Sequence, residues 1–141
     1  MSTYENPWML NGKPLESADI EEYTGMVYLI EHIETGRKYI GKKFFFATRK
    51  LPPLKGKTRK RKKVVETDWK DYYGSSNSLK ADIEEYGCLQ FKRSVLELCY
   101  TRTQCNYYEL KHQVDSEAII SEEYYNDFIG GKINGRHLTR L

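Results

Sequence analysis

The chain has 141 residues, 39% of them hydrophobic and 13% aromatic, with 12 tyrosines. That composition fits one ordered domain with its own core and excludes a disordered chain; no apolar run reaches the ~18 residues that suggest a membrane span. The net charge of +3 hides an asymmetry: positions 42–63 carry 11 Lys/Arg and no acid, leaving 12 of the 23 basic residues against all 20 acidic ones elsewhere. A concentrated basic segment on an acidic body suits a polyanion. The opening MSTYENPW lacks the basic and apolar regions of a secretory signal. Three cysteines, an odd number, point to reduced thiols and a cytoplasmic setting.

Residues 1–24 read as an N-terminal packing arm. Trp8, Met9 and Leu10 enter a turn at Asn11-Gly12, and Ser17 is placed to cap a helical turn running to Tyr23. Met26 to Ile33 and Lys38 to Gly41 are β-rich runs around Thr35-Gly36, the pattern of a hairpin. A loop of two residues (35–36) or four (34–37) pairs Tyr28 with Lys43 and His32 with Tyr39. Either puts Tyr28, His32 and Tyr39 on one face and leaves Val27, Leu29, Ile33 and Ile40 on the other to supply the core.

Arg49 follows Phe44-Phe45-Phe46, and Leu51-Pro52-Pro53-Leu54 limits any helix there to a short one. Lys55 to Lys63 (KGKTRKRKK) reads as a solvated loop, with Trp69, Tyr72 and Tyr73 beyond it as core or as platforms for bases. One of Ser75 to Ser78 caps a helix over Leu79–Tyr86, with Leu79, Ile83 and Tyr86 as its apolar stripe and Gly87 at its end. Phe91–Leu98 alternates as a strand. A helix over Gln104–Val114, capped by Thr101 or Thr103, has Tyr107, Leu110 and Val114 as its apolar stripe. Glu109 then lies nearly opposite, beside Cys105, His112 and Gln113.

Cys99, Cys105 and His112 lack the close pair of a zinc site, and Cys88 and Cys99 read as core. No helix signal follows Gly130-Gly131, so no nucleotide cofactor is expected.

Gly25-Met26-Val27-Tyr28 followed by Tyr39-Ile40-Gly41 resembles the signature of the GIY-YIG nucleases. Arg49, Tyr86-Gly87, Glu109 and Tyr125-Asn126 stand in that family's order. The likeness spans about residues 25–131, with a basic insertion at about 50–67 and a tail at 132–141. It implies an α+β fold, a three-stranded, mainly antiparallel sheet flanked by helices.

It also implies an endonuclease acting on double-stranded DNA with Mg2+ or Mn2+, the cation held by Glu109. By the same resemblance Arg49 pairs with the scissile phosphate, and Tyr28 takes or relays the proton of the attacking water. Tyr39 orients water and phosphate, and Asn126 supports the site. Lys43 and His32 are further supporting candidates. Lys42, Lys50, Lys55, Lys57, Arg59, Lys60, Arg61, Lys62 and Lys63 are expected on DNA phosphates. Stand-alone domains of this kind resemble phage-borne enzymes, homing endonucleases among them, which work in the host cytoplasm. The competing reading is a DNA-binding module with a silent site, and a third is an RNA-acting protein.

Overall fold

The computed structural model describes residues 4–118 and 120–126. Its elements are strands β1 (Met9–Leu10), β2 (Lys13–Pro14), β3 (Gly25–His32), β4 (Lys38–Phe44), β5 (Phe46–Leu51) and β6 (Arg61–Glu66), helix α1 (Asn77–Tyr86), strand β7 (Phe91–Cys99) and helix α2 (Arg102–Asp115). The expected strands β3, β4 and β7 form the centre of a larger sheet ordered β2-β1-β7-β3-β4, antiparallel except between β1 and β7. The N-terminal segment is therefore part of the sheet, turning at Asn11 (φ 51°) and Gly12 (φ 82°). A single 3-10 turn follows at Ser17–Asp19, capped by Glu16 rather than Ser17.

Hairpin register decides which side chains meet. Tyr28 pairs with Gly41 and Ile30 with Tyr39, two residues from the expected register, because the loop is 33–36. An even slip leaves every side chain on its expected face. Tyr28, His32 and Tyr39 share a face as expected, but that face holds the main core. There Trp8, Leu15, Ile20, Met26, Ile30, Phe45, Trp69, Leu79, Phe91 and Tyr125 pack around Tyr28. The opposite face has a smaller core of Val27, Ile40, Cys99 and Cys105 under α2. Ile33, expected there, is 59% exposed because β3 ends at His32.

Helix α2 presents a different stripe from the expected one. Cys105, Glu109 and Gln113 are buried, while Tyr107 and Val114 are exposed. The polar side chains win the inner face because the sheet offers them partners. Cys105 Sγ lies 3.5 Å from the Met26 carbonyl oxygen, and Gln113 Nε2 donates to the Ile40 carbonyl at 2.9 Å. Helix α1 behaves closer to expectation, capped by Ser76, with Leu79 buried and Ile83 half-buried; Tyr86 is exposed on one side and packs its ring on His32.

The basic stretch is not a loop throughout. β5 and β6 pair with each other as a separate two-stranded ribbon, Arg49 opposite Lys63 and Leu51 opposite Arg61, and Arg49 lies on a strand rather than a helix. Pro52 and Pro53 fall just past the ladder, where no amide is needed, and Gly56 at φ 83° shapes the tip.

Strand β4 is an edge, and the chain covers it. Lys38 N–H donates to the Glu123 carbonyl at 2.8 Å, and Tyr125 N–H donates to the Lys38 carbonyl at 2.7 Å. Asn126 then uses its side-chain amide as a substitute peptide: Oδ1 accepts from Ile40 N–H at 3.1 Å and Nδ2 donates to the Ile40 carbonyl at 2.8 Å. Asn126→Ala leaves a buried amide unpaired and costs about 1–3 kcal/mol of stability. The urea midpoint is expected to fall by that free energy divided by the m-value, while the far-ultraviolet spectrum stays that of the parent.

Candidate active site

The site lies where β3 meets the edge strand β4. Tyr28 and Tyr39 are diagonal neighbours on one face, ring centroids 6.2 Å apart at 37°. They approach because the residue opposite Tyr28 has no side chain. A Cβ on Gly41 would stand 2.6 Å from the Tyr28 hydroxyl oxygen and 2.9 Å from Tyr39 Cε2. Gly74, at φ 86°, also lies against Tyr39, where a Cβ would stand 3.0 Å from Cε2, and the Ser75 hydroxyl lies 3.2 Å from the Tyr39 hydroxyl.

Tyr72 crosses the Tyr28 ring edge-on, centroids 6.1 Å apart at 82°. Lys43 sits on the same face, its ammonium 4.2 Å from the Tyr72 ring centre and 2.9 Å from the Asp68 carboxylate. Its hydrogen bond holds the Asp68 carboxyl below the usual range. Buried Arg93 fixes the Tyr72 backbone by donating from Nη1 to its carbonyl at 2.9 Å, and also donates to the Asn6 carbonyl.

Glu109 comes from α2, which packs on the opposite face of the sheet. Its carboxylate is nearly buried and 3.2 Å from the Lys42 ammonium, and its charge is felt at both Tyr28 and Tyr39. Burial first, then the neighbouring phenols and the Glu109 charge, pushes Tyr28 well above the ordinary phenol value of 10.0. Burial likewise raises Tyr39, with Tyr72 and Glu109 adding to it against the Ser75 hydrogen bond. Both phenols thus hold their protons at neutral pH.

Of the residues expected here, Tyr28, Tyr39 and Lys43 share one face of the sheet, and Glu109 lies under α2 against the other, its charge reaching both phenols. Lys42, expected on phosphate, instead pairs with Glu109. Asn126 braces the backbone between Tyr39 and Gly41. Arg49 is exposed on the ribbon and contacts neither phenol among the described residues. His32 lies four residues along β3 from Tyr28, roughly 13 Å at about 3.3 Å per residue. It is buried in a stack on Phe91 (centroids 4.5 Å apart), with Nδ1 3.0 Å from the Thr35 hydroxyl. Lys50, Arg61, Lys62 and Lys63 are on the strands of the ribbon, and Lys55, Lys57, Arg59 and Lys60 on its tip, all exposed.

Sequence reasoning missed the placement of Tyr72 and Asp68. Trp69 and Tyr73, grouped with Tyr72 as possible platforms for bases, are spent otherwise: Trp69 is fully buried and Tyr73 lies under the Arg93 guanidinium. The available signal was Tyr72 two residues before Gly74-Ser75, but only the packing of Gly74 on Tyr39 gives that spacing a meaning.

Paired phenols, a carboxylate and an adjoining basic ribbon are the equipment of a phosphodiester-cleaving protein. A family model described as "Putative endonuclease segE, GIY-YIG domain" matches residues 8–129, and the chain belongs to this family of GIY-YIG nucleases. It is therefore a phosphodiester hydrolase with DNA as its substrate class. No match was found among curated proteins or among solved structures. No helix among the described residues is long and apolar enough to cross a membrane.

Two outcomes are expected of the phenol cluster. Gly41→Ala forces the Tyr28 and Tyr39 rings apart, lowering stability by about 1–3 kcal/mol, and nicking activity falls with it. Because the folded-state values of Tyr28 and Tyr39 are raised, the stability they lend is fully present below pH 10 and is lost as pH rises beyond it. Urea midpoints measured from pH 8 to 11.5 should decline above about 10, and less steeply in Tyr28→Phe.

Proposed function

We propose that this chain is a metal-dependent endonuclease of double-stranded DNA, phage-borne, with homing among the roles open to it in a host cytoplasm. The observation that supports it most is the meeting of Tyr28 and Tyr39 over the bare edge at Gly41, with the charge of Glu109 reaching both phenols from α2. Among the described residues no group of three or more His, Cys, Asp or Glu gathers as metal ligands. Glu109 alone fits Mg2+ or Mn2+, because Mg2+ keeps several waters and is commonly held by one or two carboxylates with substrate phosphate. A cation there supplies charge stabilisation at the phosphoryl oxygens and the leaving 3′-oxygen.

The chain's own groups do the rest. Tyr28, protonated and beside Tyr72, relays the proton of the attacking water at its hydroxyl oxygen, and Tyr39 with Ser75 orients water and phosphate. The new oxygen–phosphorus bond forms as the bond to the 3′-oxygen breaks, leaving 5′-phosphate and 3′-hydroxyl ends. Lys42 holds the Glu109 carboxylate in place through their ion pair. Arg49 comes from the ribbon and meets the scissile phosphate when DNA lies across both.

Supercoiled plasmid incubated with Mg2+ tests this reading. The parent should nick, Glu109→Ala should abolish nicking, and Arg49→Ala should lower the rate roughly 100- to 1,000-fold. Binding without cleavage under all these conditions would instead establish a DNA-binding module with a silent site.

A further inference from the structure

The ribbon carries more than charge. Its strands run six residues each, about 20 Å at about 3.3 Å per residue, with a strand spacing of about 4.8 Å. Among the described residues it is tied to the body at its base. There Thr67 N–H donates to the Phe45 carbonyl at 2.8 Å, and Glu66 accepts from Ser17 Oγ at 2.8 Å and from Trp69 Nε1 at 2.7 Å. Beyond that base both strands are mainly exposed, and no acid occurs between Arg49 and Lys63.

The two faces differ. Strand alternation and the Arg49–Lys63 and Leu51–Arg61 rungs put Arg49, Arg61 and Lys63 on one face, and Lys50 and Lys62 on the other. Both guanidinium groups of the ribbon strands therefore share one side. Arg61 is exposed and held at one point: its Nε donates to the Pro52 carbonyl at 3.2 Å, which leaves the fork of its two terminal nitrogens for a ligand.

We infer that the β5–β6 ribbon seats in the major groove of DNA, with the Arg49/Arg61/Lys63 face towards the bases and Arg61 reading a guanine through its N7 and O6. The inference rests on the DNA endonuclease reading above. A major groove about 12 Å wide and 8.5 Å deep admits a two-stranded ribbon, and an arginine fork matches guanine N7 and O6. Arg61 is on the distal rung, two residues or about 7 Å beyond Arg49. Arg61 thus meets base edges while Arg49 stays nearer the body, over the phosphate chain. The tip lysines lie along the groove walls.

Mapping nick positions on plasmid DNA by sequencing tests this, with parent, Arg61→Gln and the opposite-face control Lys62→Gln. The parent should show a guanine at a fixed offset from the nick, lost in Arg61→Gln although nicks persist, and kept in Lys62→Gln. Replacing that guanine by 7-deazaguanine should lower parent nicking there roughly tenfold. Inosine, which lacks only the minor-groove amino group, should leave it intact.

A nick map without guanine preference, a preference unchanged in Arg61→Gln, or sensitivity to inosine rather than 7-deazaguanine overturns the inference and leaves the nuclease reading standing. A parent that makes no nicks, or is competed better by RNA than by duplex DNA, overturns the nuclease reading and this inference with it.

Discussion

The site depends on a missing side chain. Tyr28 pairs across the hairpin with Gly41, and the space a Cβ would occupy there holds the Tyr28 hydroxyl and the edge of Tyr39. A glycine within a strand is a cost to the ladder, tolerated where something must approach closely. Here two phenols approach. Strand β4 needs external bracing in consequence, and the Asn126 and Gln113 side chains supply it at the Ile40 peptide, one residue before the glycine.

Strand alternation distributes the charge around that gap. Lys42 and Lys43 are consecutive, so they point to opposite faces. Lys42 meets Glu109 under α2, while Lys43 meets Asp68 and the Tyr72 ring on the phenol side. Each ammonium thereby has a carboxylate of its own, and burial, the neighbouring phenols and the Glu109 charge all raise Tyr28. Both phenols therefore keep their protons at neutral pH.

Much of this was legible in the sequence. Tyr28 and Tyr39 share a face at any even register, so the two-residue slip to Ile30–Tyr39 did no harm. Ser76 and Thr101 mark the helix starts by capping. The phase of α2 was not legible, because its inner face carries Cys105, Glu109 and Gln113, whose burial depends on partners from distant strands. Apolar periodicity counts Tyr107 and Val114 inward and has no term for a carbonyl waiting on β4. The ribbon was hidden likewise: like charges and two prolines suggest a solvated loop, whereas β5 and β6 pair across them with Thr48, Val64 and Val65 on the ladder. Tyr72 reaches Tyr28 through packing that no local pattern encodes.

The most direct measurement of the central claim is a crystal structure of the protein soaked with Mn2+, with the metal located by its anomalous signal. The account predicts one strong peak within coordinating distance of a Glu109 carboxylate oxygen, with the Tyr28 and Tyr39 hydroxyls facing the same space. A peak on the far side of α2, or phenols turned away from the bound ion, would contradict it.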